Sequence, residues 1–145
     1  MDEKVKVSCP QCGATNNYPL TAGGKTVVCG RCRNPLPFPG AVLEPSPEEL
    51  QVLIQNGRLP VLADLFSDTC MPCRAMKPIV QRLAERRRGE IMVVEVRIES
   101  HMDIAASLGV QGVPTFIVFS GGSERARISG AMSEADLGLW VASQT

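Results

Sequence analysis

The chain has no excess of charge of either sign, because Lys plus Arg and Asp plus Glu number 15 each among 145 residues. Proteins that bind DNA, RNA or anionic membranes usually present a basic surface, so this balance argues against such partners. The sequence also lacks an apolar run approaching the roughly 18 residues of a membrane span. Its first residues, MDEKVKVSCP, lack the apolar core of a signal peptide. We therefore expect a cytoplasmic protein that has neither nucleic-acid nor membrane partners.

Histidine is nearly absent as well, with His101 as the single example, whereas cysteine is plentiful. We expect His101 to lie exposed at the start of a helix and to have no ligand role. All six cysteines occur in CxxC pairs, at positions 9 and 12, 29 and 32, and 70 and 73. In a reducing compartment such pairs are more often metal ligands or catalytic thiols than structural disulfides. A secreted scaffold held by disulfides is the less favoured alternative.

Residues 1–39 contain too few apolar side chains to fold on hydrophobic burial alone. Their four cysteines have the spacing C-x2-C-x16-C-x2-C, which is typical of a zinc site with four thiolate ligands: Cys9, Cys12, Cys29 and Cys32. Each pair is expected to form a tight turn that directs N–H groups at the sulfurs, with Gly13 and Gly30 relieving the crowding. Four thiolates leave no position for water, so we expect a structural zinc ribbon. Iron in the same ligands, disulfides and free thiols are alternatives, and the ribbon has oxidation sensing or partner docking as further roles.

A proline-rich connector follows, and we place a domain boundary near residues 38–40, with residues 40–145 as the second domain. Helical and strand patterns then alternate in the order β-α-β-α-β-α-β-β-α. The residues Ser46-Pro47-Glu48-Glu49 form a capping box that opens the first helix, which Gly57 is expected to end. Gly121 and Gly122 indicate a hairpin between the last two strands. This order predicts an α/β domain with parallel early strands and an antiparallel final hairpin.

The third CxxC pair lies between a strand pattern and a helix pattern, in the stretch DLFSDTCMPCRAMKP. Metal ligands are lacking there, because the other four cysteines complete a shell of their own. A cysteine at the N-terminal end of a helix has its thiolate stabilised by unpaired N–H groups and the helix dipole, so we expect Cys70 to be a nucleophile. Pro72 suits the first turn and would hold Cys73 at disulfide distance from Cys70. Cys73 would then resolve a mixed disulfide.

The stretches VLADLFSDTCMPCRAMKPIVQRLA and LGVQGVPTFIVFSGGSERARISGAMS resemble the thioredoxin family, and the preceding four-cysteine segment resembles its zinc-bearing thioredoxin-2 branch. The resemblance implies a thioredoxin fold, a central mixed sheet flanked by helices, preceded by a small zinc ribbon. It also implies a protein-disulfide reductase with structural zinc and no bound organic cofactor. Protein disulfides would be its substrates, and a flavin-dependent thioredoxin reductase that uses NADPH would be its partner.

The resemblance also assigns roles to single residues. Asp64 matches a buried carboxylate that assists proton transfer at the second cysteine, and a lone Asp in an apolar strand should have a raised pKa. The alternative is an Asp64 side chain that reaches solvent. Pro114 matches a cis-proline, beside which the backbone at Val113 pairs with an extended substrate. The implied substrate-binding residues are Met71, Pro72, Val113, Pro114, Gly130 and Ala131.

Three positions depart from the family pattern. Thr69 and Met71 stand where the family usually has Trp and Gly around the first cysteine, which changes the redox potential and the contact surface. Glu95 stands where many members have Lys, and it should raise the pKa of Asp64 further if both are buried. Two alternatives therefore stay open: a more oxidising disulfide exchanger or isomerase, and a binding module in which the ribbon recruits clients to a thioredoxin scaffold.

Overall fold

The computed structural model describes residues 4–19, 27–36, 40, 42–56 and 59–145. Its strands are β1 (Lys4–Ser8), β2 (Thr15–Pro19), β3 (Val42–Leu43), β4 (Val61–Phe66), β5 (Met92–Arg97), β6 (Thr115–Ser120) and β7 (Ser123–Ser129). Its helices are α1 (Pro47–Asn56), α2 (Met71–Arg86), α3 (Met102–Ser107) and α4 (Glu134–Gln144), with a short 3-10 helix at Ile98–Ser100. The predicted order of strands and helices from β3 onward is confirmed. The expected stop of α1 at Gly57 lies outside the described residues.

Five strands form one mixed sheet in the order β3-β5-β4-β6-β7. Strand β5 runs parallel to β3 and β4, whereas β6 runs antiparallel to β4 and β7. The prediction of parallel early strands and an antiparallel final hairpin is therefore confirmed. The hairpin turns at Gly121 and Gly122, whose φ angles of 64° and 88° are readily adopted only by glycine.

The sheet is covered on both faces because its central strands are apolar at nearly every position. On one face Leu62 and Val93 pack against Met76 and Val80 of α2, together with residues of α4. On the other face lie alternate residues of the same strands and buried leucines of α1, namely Ala63, Leu65, Val94, Val96, Leu50 and Leu53. Each fully buried leucine or valine contributes roughly 1.5–3 kcal/mol relative to an exposed one. Because side chains alternate along a strand, Asp64 and Glu95 lie on the α2 face with Leu62 and Val93.

The first helix begins at the predicted capping box. The N–H of Glu49 donates to Ser46 Oγ at 3.2 Å, and the N–H of Ser46 donates back to Glu49 Oε1 at 3.0 Å. Two N–H groups that the helix cannot pair are thus satisfied. This arrangement fixes where the chain turns from β3 into α1.

Gly40 lies directly against α2. A Cβ added at Gly40 would come within 2.7 Å of the Cα of Glu85 and 2.9 Å of the carbonyl oxygen of Ala84. Both neighbours are backbone atoms that cannot move independently, so only glycine permits this approach. Gly40 therefore packs on the C-terminal half of α2.

The N-terminal segment is a small antiparallel hairpin, β1 with β2, followed by a second turn closed by a bridge between Val28 and Pro35. Tyr18 and Leu36 are buried, and they belong to the same apolar cluster as Leu43 and Leu50. The segment therefore packs against the face of the sheet that carries α1. Within the described residues, no helix is both long enough and apolar enough to span a membrane.

Candidate active site and cysteine cluster

Cys70 occupies the cap position of α2, and Pro72 lies in the first turn. The N–H of Cys73 donates to Cys70 Sγ at 3.1 Å. The two cysteines are joined by a disulfide, with their Cα atoms 5.3 Å apart. Cys70 is partly exposed, whereas Cys73 is only 4% exposed. One sulfur can therefore be reached from solvent, and the other is shielded behind it.

The loop that leads into Cys70 is held by Glu99, which the sequence did not identify. Its carboxylate accepts hydrogen bonds from Ser67 Oγ at 2.8 Å and from the N–H of Asp68 at 3.1 Å. These bonds, the Ser67 hydroxyl first among them, lower the pKa of Glu99. Arg97 forms an ion pair with Asp68 at 3.2 Å, which offsets the negative charge of Asp68 near the cysteine.

A second loop faces Cys70 across a cavity of about 470 Å³ that Thr69, Cys70 and Val113 line. The Val113–Pro114 peptide bond is cis, as the resemblance implies. The N–H of Gly130 donates to the carbonyl oxygen of Pro114 at 2.9 Å. The fold thus gathers Val113, Pro114 and Gly130 beside Cys70.

The remaining residues of the substrate-binding prediction are sequence neighbours of Cys70 and Gly130. Met71 follows Cys70 at the start of α2 and is 68% exposed. Pro72 is exposed beside it, and Ala131 is exposed next to Gly130. An exposed thioether next to the accessible sulfur offers a flexible apolar contact to an incoming chain.

Asp64 lies in the middle of β4, between Glu95 of β5 and Phe116 of β6. Its side chain is buried, and among the described residues its Oδ1 has no hydrogen-bond partner. Burial and the neighbouring charge of Glu95 raise the pKa of Asp64 to about 7, while the charge of Lys77 acts in the opposite direction. The predicted raised pKa and the contribution of Glu95 are confirmed, and the alternative of a solvent-exposed Asp64 is wrong.

Lys77 is a second residue that the sequence analysis missed. Its Nζ lies 3.9 Å from Glu95 Oε2 and 5.6 Å from the centre of the Phe66 ring. The sequence does contain a signal for this position, because Lys77 comes four residues after Cys73 in a predicted helix and therefore lies on the same face of that helix. The chain thus supplies a cation to the buried carboxyl groups from α2.

The prediction that His101 is exposed is wrong. His101 precedes α3 as expected, but it is only 6% exposed. Its Nδ1 lies 2.8 Å from the carbonyl oxygen of Arg97, and its Nε2 lies 3.0 Å from that of Pro45. The ring is buried because it lies between two segments of the chain, with a backbone carbonyl oxygen facing each of its nitrogens.

The first four cysteines form a compact cluster in which all sulfur atoms lie within 4.8 Å of one another: Cys9, Cys12, Cys29 and Cys32. The Sγ atoms of Cys9 and Cys32 are 3.6 Å apart, and those of Cys12 and Cys29 are 3.7 Å apart. Four sulfurs placed about 2.3 Å from a tetrahedral zinc ion are separated from each other by about 3.8 Å. The cluster therefore fits zinc in size and in ligand chemistry.

Backbone and side-chain donors surround these sulfurs. The N–H groups of Gln11 and Arg31 donate to Cys9 Sγ and Cys29 Sγ, each at 3.4 Å, as the tight-turn prediction requires. Asn16 Nδ2 donates to Cys29 Sγ, and Asn34 Nδ2 donates to Cys32 Sγ, each also at 3.4 Å. Donors from Cys32, Arg31 and Asn16 lower the pKa of Cys29 to about 6.

The predicted role of Gly30 is wrong, whereas that of Gly13 is confirmed. Gly13 has a φ of 76°, and its N–H donates to the carbonyl oxygen of Cys9. In the second turn the equivalent position is Arg33, with a φ of 66° and an N–H that donates to the carbonyl oxygen of Cys29. The strained position is therefore four residues after the first cysteine of each pair and not between the cysteines.

Comparison with known proteins finds relatives along most of the chain. Thioredoxin C-3 of Corynebacterium nephridii is 30% identical over 138 residues, covering 95% of this chain and 94% of that protein. Thioredoxin 1 of Chlorobaculum tepidum is 38% identical over 85 residues, covering 59% and 84%. The structure of a mutant thioredoxin from Halobacterium salinarum NRC-1 matches with a TM-score of 0.66 and 29% identity, covering 74% of this chain and 94% of that one.

The family description that matches is that of thioredoxin, over residues 41–143. This range contains the five-stranded sheet, the disulfide of Cys70 with Cys73 and the cis peptide bond before Pro114. The chain therefore belongs to the thioredoxin family and is a thiol-disulfide oxidoreductase.

Proposed function

We propose that this chain reduces protein disulfides and belongs to the zinc-ribbon thioredoxin-2 branch. The observation that carries the proposal is the pairing of an accessible Cys70 at a helix N-terminus with a shielded Cys73. Such a pair separates the two tasks of disulfide exchange, since only Cys70 can meet a substrate and only an internal attack can reach Cys73.

In the first step the Cys70 thiolate attacks one sulfur of the substrate disulfide. The N–H of Cys73, 3.1 Å from Cys70 Sγ, and the positive end of the α2 dipole stabilise that thiolate. A bond forms between Cys70 and the substrate, and the other substrate sulfur leaves as a thiolate that takes a proton from water.

In the second step Cys73 attacks Cys70 and releases the substrate. Cys73, Met76 and Val80 are buried along one face of α2, and this face packs on the side of the sheet that carries Asp64. Asp64 accepts the proton of the Cys73 thiol, because a carboxyl group with a pKa of about 7 exchanges protons readily near neutral pH. The disulfide between Cys70 and Cys73 then closes, and the released substrate sulfur takes up a proton.

The substrate backbone would pair with the chain at Val113, in the groove beside Cys70. Gly130 and Ala131 leave room for a main chain, while Met71 and Pro72 form the exposed apolar rim. Pro114 contributes no N–H to this edge, so the pairing falls to Val113.

We assign residues 1–39 to the ribbon and residues 40–145 to the thioredoxin domain. The alignment with Thioredoxin C-3 of Corynebacterium nephridii covers 95% of the chain and therefore includes most of the ribbon segment. Zinc would be held by the four clustered thiolates, where it would supply a structural crosslink and no catalysis. The ligands are Cys9, Cys12, Cys29 and Cys32.

A metal assay tests the ribbon assignment. We expect one zinc ion per chain, and we expect a Cys29→Ser variant to retain less than about a tenth of it, because three thiolates leave the shell open. A Cys73→Ser variant is the matched control and should keep its zinc. Iron instead of zinc, or full zinc in Cys29→Ser, would contradict the assignment.

For the second half of the cycle we propose re-reduction by a flavin-dependent thioredoxin reductase that uses NADPH, in the cytoplasm. That compartment keeps the four ribbon thiols reduced and so able to bind metal. The partnership follows from family membership and from the exposed rim at Met71, where a reductase would dock.

The experiment that tests the function measures how fast the protein reduces insulin disulfides when dithiothreitol, or reductase with NADPH, supplies the electrons. We expect turnover, and a redox titration of the Cys70–Cys73 pair should give a potential near that of reducing thioredoxins, about −270 mV. A potential near about −180 mV would instead favour the exchanger or isomerase alternative, which Thr69 and the exposed Met71 make worth testing. Absence of insulin reduction would reject the reductase.

A further inference from the structure

Three carboxyl groups lie side by side on adjacent strands, in a row that leads from the interior to the surface. Asp64 of β4 is in register with Glu95 of β5. Glu44 directly follows β3, whose last residue pairs with Val94, so Glu44 comes beside Glu95. Asp64 is 2% exposed, Glu95 is 5% exposed, and Glu44 is exposed.

The carboxyl group of Glu95, the middle one of the three, borders a cavity that Asp64 does not line. Glu95 lines a space of about 730 Å³ together with Glu44, and Asp64 is absent from its walls. Because Glu44 is exposed and lines the same space, this cavity is open to water. Glu95 is thus placed between the enclosed Asp64 and solvent.

The charges around Glu95 leave it able to hold a proton. Burial raises its pKa, Lys77 on α2 acts against this, and the charge and hydrogen bonding of Glu44 raise it again. The other charged groups of the cavity have partners elsewhere: Arg97 pairs with Asp68, and both His101 nitrogens face backbone carbonyls. Glu49 accepts from the N–H of Ser46 in the capping box. In the part of the chain that the structure describes, one cation, Lys77, therefore faces the two adjacent buried carboxyl groups, and the charge of Glu95 opposes ionisation of Asp64.

We propose that Glu95 and Glu44 form a proton relay that connects Asp64 to solvent during disulfide closure. The relay rests on the proposed roles of Cys73 and Asp64. As the Cys73 sulfur bonds to Cys70 and the bond from Cys70 to the substrate breaks, the thiol proton of Cys73 moves to Asp64. Asp64 passes it to its neighbour Glu95, and Glu95 passes it to Glu44, which releases it to cavity water, so that Asp64 is a base again for the next cycle.

The test uses the full-length reduced protein and an aromatic disulfide whose thiolate stays unprotonated and coloured. Attack by Cys70 releases a first aryl thiolate, and closure by Cys73 releases the second, so the second phase reports the proposed step. A pH indicator in weak buffer records the proton that leaves the protein. The variants are Glu95→Gln, Glu95→Asp and Glu44→Gln, with Glu85→Gln on the exposed side of α2 as the matched control.

We expect Glu95→Gln to slow the second phase about tenfold at its pH plateau, with the first phase unchanged. Small diffusible bases such as imidazole should restore much of the second-phase rate of Glu95→Gln, and Glu95→Asp should retain much of the parent rate. Glu44→Gln should slow closure about threefold. Glu85→Gln should match the parent protein.

An electrostatic role for Glu95 gives a different result. Loss of its charge would lower the pKa of Asp64 and shift the pH midpoint of closure downward, with an unchanged plateau. If Glu95→Gln shows this shift of the midpoint with an unchanged plateau, and Glu44→Gln closes its disulfide at the parent rate, the relay is overturned. If the parent protein itself gave no second phase, the proposed role of Cys73 would be wrong instead. Glu44 is exposed, so its variant also decides the question if Glu95→Gln does not fold.

Discussion

Replacement of Cys73 by Ser is expected to stop turnover and to leave the protein covalently joined to its substrates through Cys70. Cys70 remains accessible at the start of α2, so the first attack proceeds. A serine hydroxyl at a position that is 4% exposed has no base strong enough to make it attack a disulfide, so the mixed disulfide persists. We expect turnover to fall at least about 10³-fold.

The measurement combines insulin reduction with non-reducing gels of protein mixed with disulfide substrates. Cys70→Ser should be equally inactive but should trap nothing, which separates the nucleophile from the resolving cysteine. Cys12→Ser removes a ribbon thiol instead and should retain turnover. Release of substrate by Cys73→Ser within about tenfold of the parent rate would show that Cys73 does not resolve the intermediate.

Replacement of Asp64 by Asn is expected to stabilise the folded protein at alkaline pH and to slow disulfide closure. The pKa of Asp64 is raised from 3.8 to about 7, chiefly by burial and then by Glu95. The folded state therefore disfavours the charged form, and the parent protein loses stability as the pH rises from about 4 through about 7. This difference in pKa corresponds to roughly 4 kcal/mol, which the Asp64→Asn variant would recover above about pH 7.

Chemical denaturation at pH 5 and pH 8 measures this effect. The advantage of Asp64→Asn over the parent should be about 2–3 kcal/mol larger at pH 8 than at pH 5, where about 1.6 kcal/mol of the parent's loss is already present, while the exposed control Asp103→Asn should follow the parent. Closure in the aryl disulfide assay should slow about 100-fold, because the proton acceptor is gone. An equal stability difference at both pH values would mean that packing, and not charge, sets the effect.

Much of the fold could be predicted because its signals are local. The capping box at Ser46 and the alternation of apolar strands and amphipathic helices depend on neighbouring residues, and the structure follows them. The cysteine spacing was equally informative, since each CxxC turn is fixed by its own backbone. The raised pKa of Asp64 followed from a carboxyl group within an apolar run.

The errors and omissions involve contacts between distant segments. His101 is buried because Pro45, 56 positions earlier, presents a carbonyl oxygen to its ring. Lys77 and Glu99 reach the site only after α2 and β5 are packed beside β4. Gly30 is the residue that the sequence indicates, because glycine is the usual residue at positive φ, but the sequence does not show that the second turn places that angle at Arg33.

The close contact of Gly40 with α2 also determines where this protein can be truncated or fused to another protein. Since backbone lies against backbone at Ala84 and Glu85, a shortened chain without the four clustered cysteines should begin before Gly40 in order to keep this contact. A flexible insert placed after Gly40 would separate the contact from β3, whereas one placed before it would leave the contact intact. Gly40 is thus a fixed point of the chain on the helix that follows Cys70 and contains Cys73.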